Sequence, residues 1–273
     1  MAGLRVRPHA PDASGTVLEV TPASAGWRHV GFKLVRLDAG QRHAGGEAGR
    51  EACLVLVSGS ADVTVAGEQY SGLGGRATPF EDKAPGAIYI PAGVSYVVTA
   101  HDAVELAVCT APGTGAGTVR VIDAAAMSRE VRGSGTNTRH VRNILPETES
   151  AEGLLVVEVI TPGGHWSSYP PHKHDTATPG EETALEETYY HRLNPSQGFA
   201  FQRVYTDDRS LDETVCVEDG DLVMVPRGYH PVGAPHGYDL YYLNVMAGTK
   251  RQWIFRNDPA HDWIARCNTS SQE

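Results

Sequence analysis

Apolar residues in this chain gather in short runs that stop at Gly, Pro, Asp or Asn. The run at 54–57 closes at Ser58-Gly59-Ser60, and Val63-Thr64-Val65 ends at Gly67. Residues 87–90 lead into Pro91-Ala92-Gly93, 94–99 resume the pattern, and 104–109 follow before a Gly-rich break at 113–117. Runs of this length between regular turn signals predict the strands of a sandwich or barrel, not alternating strand–helix units. The rhythm returns at 154–160, 188–193, 199–205, 214–217, 221–225 and 240–246, punctuated by Asn194-Pro195, Asp207-Asp208 and Asp219-Gly220. Each series also contains the order turn, strand, Pro-x-Gly, strand, with Pro91-Ala92-Gly93 in one and Pro226-Arg227-Gly228 in the other. Two copies of one β unit is the simplest account. Between them, 123–152 is polar and Gly-interrupted, with room for a short helix at 124–129, and reads as a connection. The expected organisation is a first domain at 1–122, the connection at 123–152, and a second domain with its tail at 153–273. The polar stretch 175–185 reads as a loop inserted between two strands of the second domain.

Length and charge narrow the function. The chain has 273 residues, enough for two domains of ordinary size. Lys+Arg is 23 against Asp+Glu 33, a formal charge of −10, which would repel phosphate. Nucleic acid and membrane surfaces are therefore not expected partners. No apolar run approaches the roughly 18–20 residues that span a bilayer. No apolar leader is visible at the start, and Cys53, Cys109, Cys216 and Cys267 show no CxxC spacing. A reducing, cytoplasmic location is expected, with the cysteines as core residues or bystanders. The polar end 268–273 is expected to fray.

The chemistry concentrates in three segments of the second half. His172 and His174 in YPPHKHD are two apart, so on a strand both imidazoles face one side and Lys173 the other. In EETYYHR, Glu187, Tyr189 and His191 share one face, and Glu186, Thr188 and Tyr190 the other. In GDLVMVPRGYH, a strand and a tight turn end at His230. This succession of HxH, Glu, then Gly, strand, PxG and His resembles the motifs of the cupin superfamily. The resemblance implies an all-β bicupin: two β-barrel or jelly-roll domains with few short helices. It also implies His172, His174, Glu187 and His230 as ligands of one divalent transition metal: Zn, Mn, Fe, Ni or Co. Two departures leave rivals. The loop before Glu187 is long, which admits Glu186, and the last histidine follows PxG one residue early, which leaves room for His236. The first half has only His43 and Glu51 in the corresponding region, and Tyr96 near the place of the last histidine. A metal-free structural cupin is expected there, with His43 an ordinary loop residue.

Longer strings are more specific. WSSYPPHKHD (166–175), EETYYHRLNPSQGFAFQRVYTDD (186–208), VPRGYHPVGAPHGYDLYYLNVMAG (225–248) and QWIFRNDPAHDWI (252–264) closely resemble the 5-deoxy-glucuronate isomerase family of myo-inositol breakdown, related to the uronate ketol-isomerases. The resemblance covers essentially the whole chain. It implies conversion of 5-deoxy-D-glucuronate to 5-dehydro-2-deoxy-D-gluconate, a carbonyl moved by one carbon. That chemistry needs stabilisation of an enediolate and a group that moves the α proton, or else a hydride shift. Candidates for the proton are Tyr189, His191 and His236. Candidates for the substrate carboxylate are Arg203, Lys173 and Arg139, with Arg142 beside them. Each has a plain alternative as a packed or solvated side chain. Trp166, Tyr241 and Tyr242 are aromatics for a sugar site or for the core, while Trp253 and Trp263 would pin the tail. An Fe(II) cupin oxygenase would instead consume oxygen, and a non-enzymatic cupin would bind a sugar acid without turnover. A homodimer is expected by analogy with other cupins.

Overall fold

In the computed structural model, which describes residues 3–267, the runs read as strands are strands, and they build two β units packed back to back. The polar end 268–273 lies outside the described residues. The first unit is a nine-stranded sheet folded around the long strand Arg50–Val65, which pairs antiparallel with Glu68–Arg76, Gly86–Ile90, Tyr96–Ala100 and Val104–Pro112. The second unit joins a seven-stranded sheet to a four-stranded one. At the centre of the larger sheet, Leu185–Asn194 lies between Leu222–Val225 and Asp239–Gly248.

The strand Arg50–Val65 begins as an unbroken apolar run because both its faces are covered there. Cys53, Val55 and Val57 face the second unit, and Leu54 and Leu56 face the interior of the first. In the second unit Tyr190, Tyr241, Leu243 and Val245 face back across the same contact, where the Phe32 and Tyr190 rings stack at 5.8 Å. The alternate residues of those strands, with Val157, Val159, Val204 and Val217, form a separate core inside the second unit. Cys53 and Cys109 are buried, free and opposite one another in the ladder, while Cys216 is exposed.

Four features depart from the pattern. Residues 124–126 form a turn rather than a helix, because the Asp123 carboxylate accepts from the Ala125 N–H (2.9 Å). Arg129–Arg132 and Arg139–Leu145, inside the stretch read as a connection, are the last two strands at one end of the seven-stranded sheet. Their polar residues hid them, since one of their faces lines a cavity. Arg5–Val6 crosses to the other unit and pairs with Leu222–Val225. His43 is not in a loop: it is buried on the strand Arg42–Gly45, with its ring Nδ1 3.1 Å from the Ser14 carbonyl. Among the described residues the helices are Pro22–Ala25 and Trp263–Cys267, with a 3-10 turn at Gly135–Asn137, and none is long and apolar enough to cross a membrane.

Two carboxylates tie the units together reciprocally. Glu51 accepts from the backbone N–H groups of Glu152, Gly153 and Leu154 (2.8, 2.6 and 2.7 Å) and from the Tyr89 hydroxyl. Glu186 accepts from those of Arg28, His29 and Val30 (2.6, 2.7 and 3.0 Å). Each carboxylate closes the chain just before a strand of the other unit, Leu155–Thr161 or Gly31–Leu37. Glu51 stands as far before Pro91 as Glu186 does before Pro226, so the two are equivalent positions of a duplicated unit. Between them, Arg76 of the first unit grips Glu158 of the second with two bonds (3.1 and 2.8 Å), and both are buried.

Removing Glu186 would leave three backbone donors without an acceptor. Glu186→Ala is expected to lower the unfolding free energy by about 2–4 kcal/mol in urea titrations. Glu47→Ala, which removes an exposed carboxylate 3.9 Å from Arg50, should cost under about 0.5 kcal/mol. Equal losses in the two variants would contradict the clasp.

Candidate metal centre

The strand Leu185–Asn194 alternates strictly. Glu187, Tyr189 and His191 point into the second unit, while Glu186, Tyr190 and Arg192 face the first. The choice between the two glutamates is therefore made by the strand's facing, and Glu186 is committed to its backbone donors.

His172 and His174 enter from the short strand His172–Lys173 and the residue after it. That strand is held by antiparallel pairing with Arg256–Asn257 from the tail, where the Phe255 ring lies 4.5 Å from the His172 ring. Lys173, on the opposite side, is buried against Asp175 and Glu182 (2.6 and 2.9 Å). His230 follows the turn Pro226-Arg227-Gly228. Gly228 has φ +90°, and a Cβ there would strike the Tyr205 carbonyl, so the turn requires glycine. The Gly228 N–H donates to Asp175 (2.8 Å), which joins this turn to the HxH segment. The Gly228 carbonyl lies 2.9 Å from His230 Nδ1; a carbonyl only accepts, so Nδ1 carries the proton and Nε2 keeps a free lone pair.

The candidate donor atoms of His172, His174 and His230 lie within 4.8 Å of one another. Glu187 Oε2 is 3.1 Å from His174 Nε2 and 3.2 Å from His230 Nε2. All four residues are buried, at 8% exposure or less. The Nε2 atoms of the three imidazoles and Glu187 Oε2 have no hydrogen-bond partner, although each such buried group left unpaired is costly. Burial, with repulsion from the neighbouring rings, lowers the His172 pKa well below its usual value, and burial lowers that of His230. Burial also opposes charge on His174, but Glu187 outweighs it and raises that pKa. Burial favours the neutral form of Glu187, yet the neighbouring His230 and His174 rings, with the hydrogen bond from Asn244, hold its pKa at about 2. Two imidazoles that burial keeps neutral, a third drawn toward charge by Glu187 and an ionised carboxylate, converging with open valences, are a donor set that fits a divalent cation, which would take the place of the His174 proton.

His172 and Glu187 reach a cavity of about 660 Å³. Its apolar wall includes Val141, Leu155, Val157, Val159, Trp253 and Phe255; its polar wall includes Arg139, Arg132, Glu130, Asn143, Ser168, Tyr189 and Asn244. The Tyr189 hydroxyl lies 3.1 Å from Ser168 Oγ, and burial with Glu187 nearby raises its pKa well above the usual value. Arg139 donates to the carbonyls of Asn137 and Tyr169 (3.1 and 3.2 Å) and, among the described residues, has no carboxylate within ion-pair distance. Tyr242 also lines the cavity, whereas Trp166 is exposed outside it and Tyr241 lies in the contact between units.

Several expected site residues lie elsewhere. His191 is fully buried beyond Tyr189, bonded to Gln202 (3.0 Å), and does not line the cavity; burial pushes its pKa down to about 4. His236 is exposed in the turn before Asp239–Gly248, because the reversal into that strand carries it away from the barrel interior. Arg203 is on the outer face of Phe199–Tyr205, paired with Asp212 (2.7 Å), since Gln202 and Val204 take the inward positions. Arg142 lies outside the cavity, 3.6 Å from Glu158. Asn244, Ser168, Glu130 and Asn143 went unremarked in the sequence. Asn244 had a visible signal, a lone amide within the apolar run at 240–247.

Comparison with known proteins agrees along the whole chain. A sequence model described as the KduI/IolB family matches residues 4–264. The 5-deoxy-glucuronate isomerase of Geobacillus kaustophilus is 50% identical over 273 residues, 100% of this chain and 99% of that protein. The crystal structure of an IolB-like protein from Salmonella typhimurium superimposes with a TM-score of 0.94 at 50% identity, covering 97% of this chain and 100% of that one. Oxalate decarboxylase of Bacillus subtilis, studied for its Mn(II) centres, gives a TM-score of 0.64 at 14% identity, covering 94% and 80%. That distant likeness concerns the fold alone, which is the expected all-β bicupin.

The metal-free protein titrated with Mn(II) or Zn(II) is expected to take up one ion per chain. His172→Ala and His230→Ala should each weaken that binding by about 100-fold or more, while Glu186→Ala binds like the parent. Undiminished binding in both histidine variants would overturn the ligand set.

Proposed function

The chain belongs to the KduI/IolB family, and we propose that it is a 5-deoxy-glucuronate isomerase, an aldose–ketose isomerase converting 5-deoxy-D-glucuronate to 5-dehydro-2-deoxy-D-gluconate. The observation that carries this reading is one cavity that borders a metal-type donor set through His172 and Glu187 and is also lined by Arg139, which has no carboxylate partner among the described residues. A small sugar acid needs both: a site for its carbonyl end and a cation for its carboxylate.

We assign His172, His174, Glu187 and His230 as ligands of a divalent ion: Zn, Mn, Fe, Ni or Co. When bound there, the ion would supply Lewis acidity toward the carbonyl and its adjacent hydroxyl. The remaining work falls to the chain's own residues. Arg139 is the carboxylate anchor, since its planar fork can donate to two oxygens at once. Of the other cations considered, Arg203 and Lys173 are already neutralised by Asp212 and by Asp175 with Glu182. Tyr189 keeps its proton at working pH, so its hydroxyl donates a hydrogen bond to a substrate oxygen where negative charge develops. Ser168 donates to that hydroxyl and so orients it toward the substrate. The apolar wall limits water near the reacting carbons and so strengthens each of these contacts.

Proton NMR of the protein with 5-deoxy-glucuronate in deuterated water tests the assignment. The aldehyde-derived signals are expected to fall as the ketose appears, and chelator should slow the change. Deuterium in the product would favour proton transfer over hydride shift. No conversion with any divalent ion would overturn the assigned substrate. In the same assay Arg139→Met is expected to raise KM by about 10- to 100-fold, the worth of a charge-assisted pair, with a smaller effect on kcat.

A further inference from the structure

The strand Asp239–Gly248 carries a single amide in an apolar run, and that amide is 3% exposed. Its position is set by register. On the neighbouring strand Glu187 pairs with Met246 and Tyr189 pairs with Asn244, so Asn244 and Glu187 are diagonal neighbours on the inward face. A buried amide is costly unless both its ends find partners. One end does: Asn244 Nδ2 donates to Glu187 Oε1. An ionised carboxylate only accepts, so the amide cannot be turned the other way. Asn244 lines the cavity, and its Oδ1 is thereby left buried and, among the described residues, without a hydrogen-bond partner.

The bond also decides what Glu187 can do. With Oε1 engaged by Asn244, Oε2 is the oxygen that meets His174 and His230 (3.1 and 3.2 Å) and itself lacks a hydrogen-bond partner. We infer that Asn244 acts on both sides: Nδ2 positions Glu187 for the ion, and Oδ1 accepts a hydrogen bond from a hydroxyl of the bound sugar acid. The first role rests on the metal site, and the second rests on the isomerase reading. The residue type fits both. An aspartate here would set a second carboxylate against Glu187, and a leucine would offer neither donor nor acceptor. Arg139 can only donate to the substrate, so the hydroxyl protons of a polyhydroxy acid in this cavity must find acceptors on the wall, and Oδ1 is the one that lies beside Glu187 without a partner of its own.

Asn244→Leu keeps the shape and removes both ends of the amide; Asn244→Ala is the second variant, and circular dichroism identifies which is folded. Titration of the metal-free protein with Mn(II) alone is expected to show binding weakened by about 10- to 100-fold. The visible spectrum of the Co(II)-loaded variant should change with the altered Glu187 contact, which a residue that merely packs would not cause. At saturating Mn(II), KM for 5-deoxy-glucuronate should rise about tenfold, by more than kcat falls. Mn(II) affinity within about twofold of the parent, with an unchanged Co(II) spectrum, would overturn the positioning role. An unchanged KM at saturating metal would overturn the hydroxyl contact. If the parent converts no 5-deoxy-glucuronate, the isomerase reading and the hydroxyl contact fail together, and the Mn(II) titration still decides the positioning role.

Discussion

The alternation of one strand holds this molecule together. Leu185–Asn194 sends Glu187, Tyr189 and His191 into its own unit, and Glu186, Tyr190 and Arg192 toward the other. Because side chains alternate with a period of two, a slip of one residue would exchange the two sets. The metal-type centre would receive the residue meant to cap Arg28–Val30, and the contact between units would receive an ionised carboxylate. The packing of the two units thus fixes the register of the site. Glu51 and Glu186 add an electrostatic clasp on both sides, each satisfying backbone donors that the other unit cannot satisfy itself.

The centre shows what burial demands of polar groups. Four charged or polar side chains at 8% exposure or less are tolerable only if their open valences meet something. His230 has its tautomer fixed by the Gly228 carbonyl, and Glu187 has one oxygen held by Asn244. The atoms left over all point the same way. Such a set is poorly stabilised alone and well matched to a cation, which is why the site is read as a metal centre rather than a packed polar cluster.

The cavity is assembled from four parts of the chain. The central strands supply Glu187, Tyr189 and Asn244; the segment at 168–172 supplies Ser168 and His172; the segment at 128–148 supplies Glu130, Arg132, Arg139 and Asn143; the tail supplies Trp253, Phe255 and Asn257. Arg132 lies over the Trp253 ring at 5.3 Å, and Glu147 accepts from the Trp253 N–H (2.9 Å), so the latter two parts meet across the mouth. The tail also pairs with the strand bearing His172. The cavity wall and the placement of His172 are consequently coupled through one short ladder.

Much of this was legible in the residues. The strand rhythm, the repeated Pro-x-Gly, the HxH pair and the inward set of Leu185–Asn194 are local properties, fixed by period-two geometry and by turn chemistry that needs no knowledge of neighbours. The residue strings carried the family. The strands Arg129–Arg132 and Arg139–Leu145 were not legible, because a face that lines a polar cavity has no hydrophobic period to read. Nor was the choice among Arg139, Arg203 and Lys173. All three are cations beside strands, and they differ only in whether a carboxylate from elsewhere reaches them: Asp212 reaches Arg203, Asp175 and Glu182 reach Lys173, and Arg139 finds only carbonyls. The inward facing of His191 was legible, but its depth behind Tyr189 and the exposure of His236 at a turn were not, since both are properties of the closed barrel. The sequence by itself determined which residues alternate, turn and can donate. The tertiary structure decided which of them are left unpaired in one cavity, because a charge is satisfied or free only with respect to groups that folding brings from far along the chain.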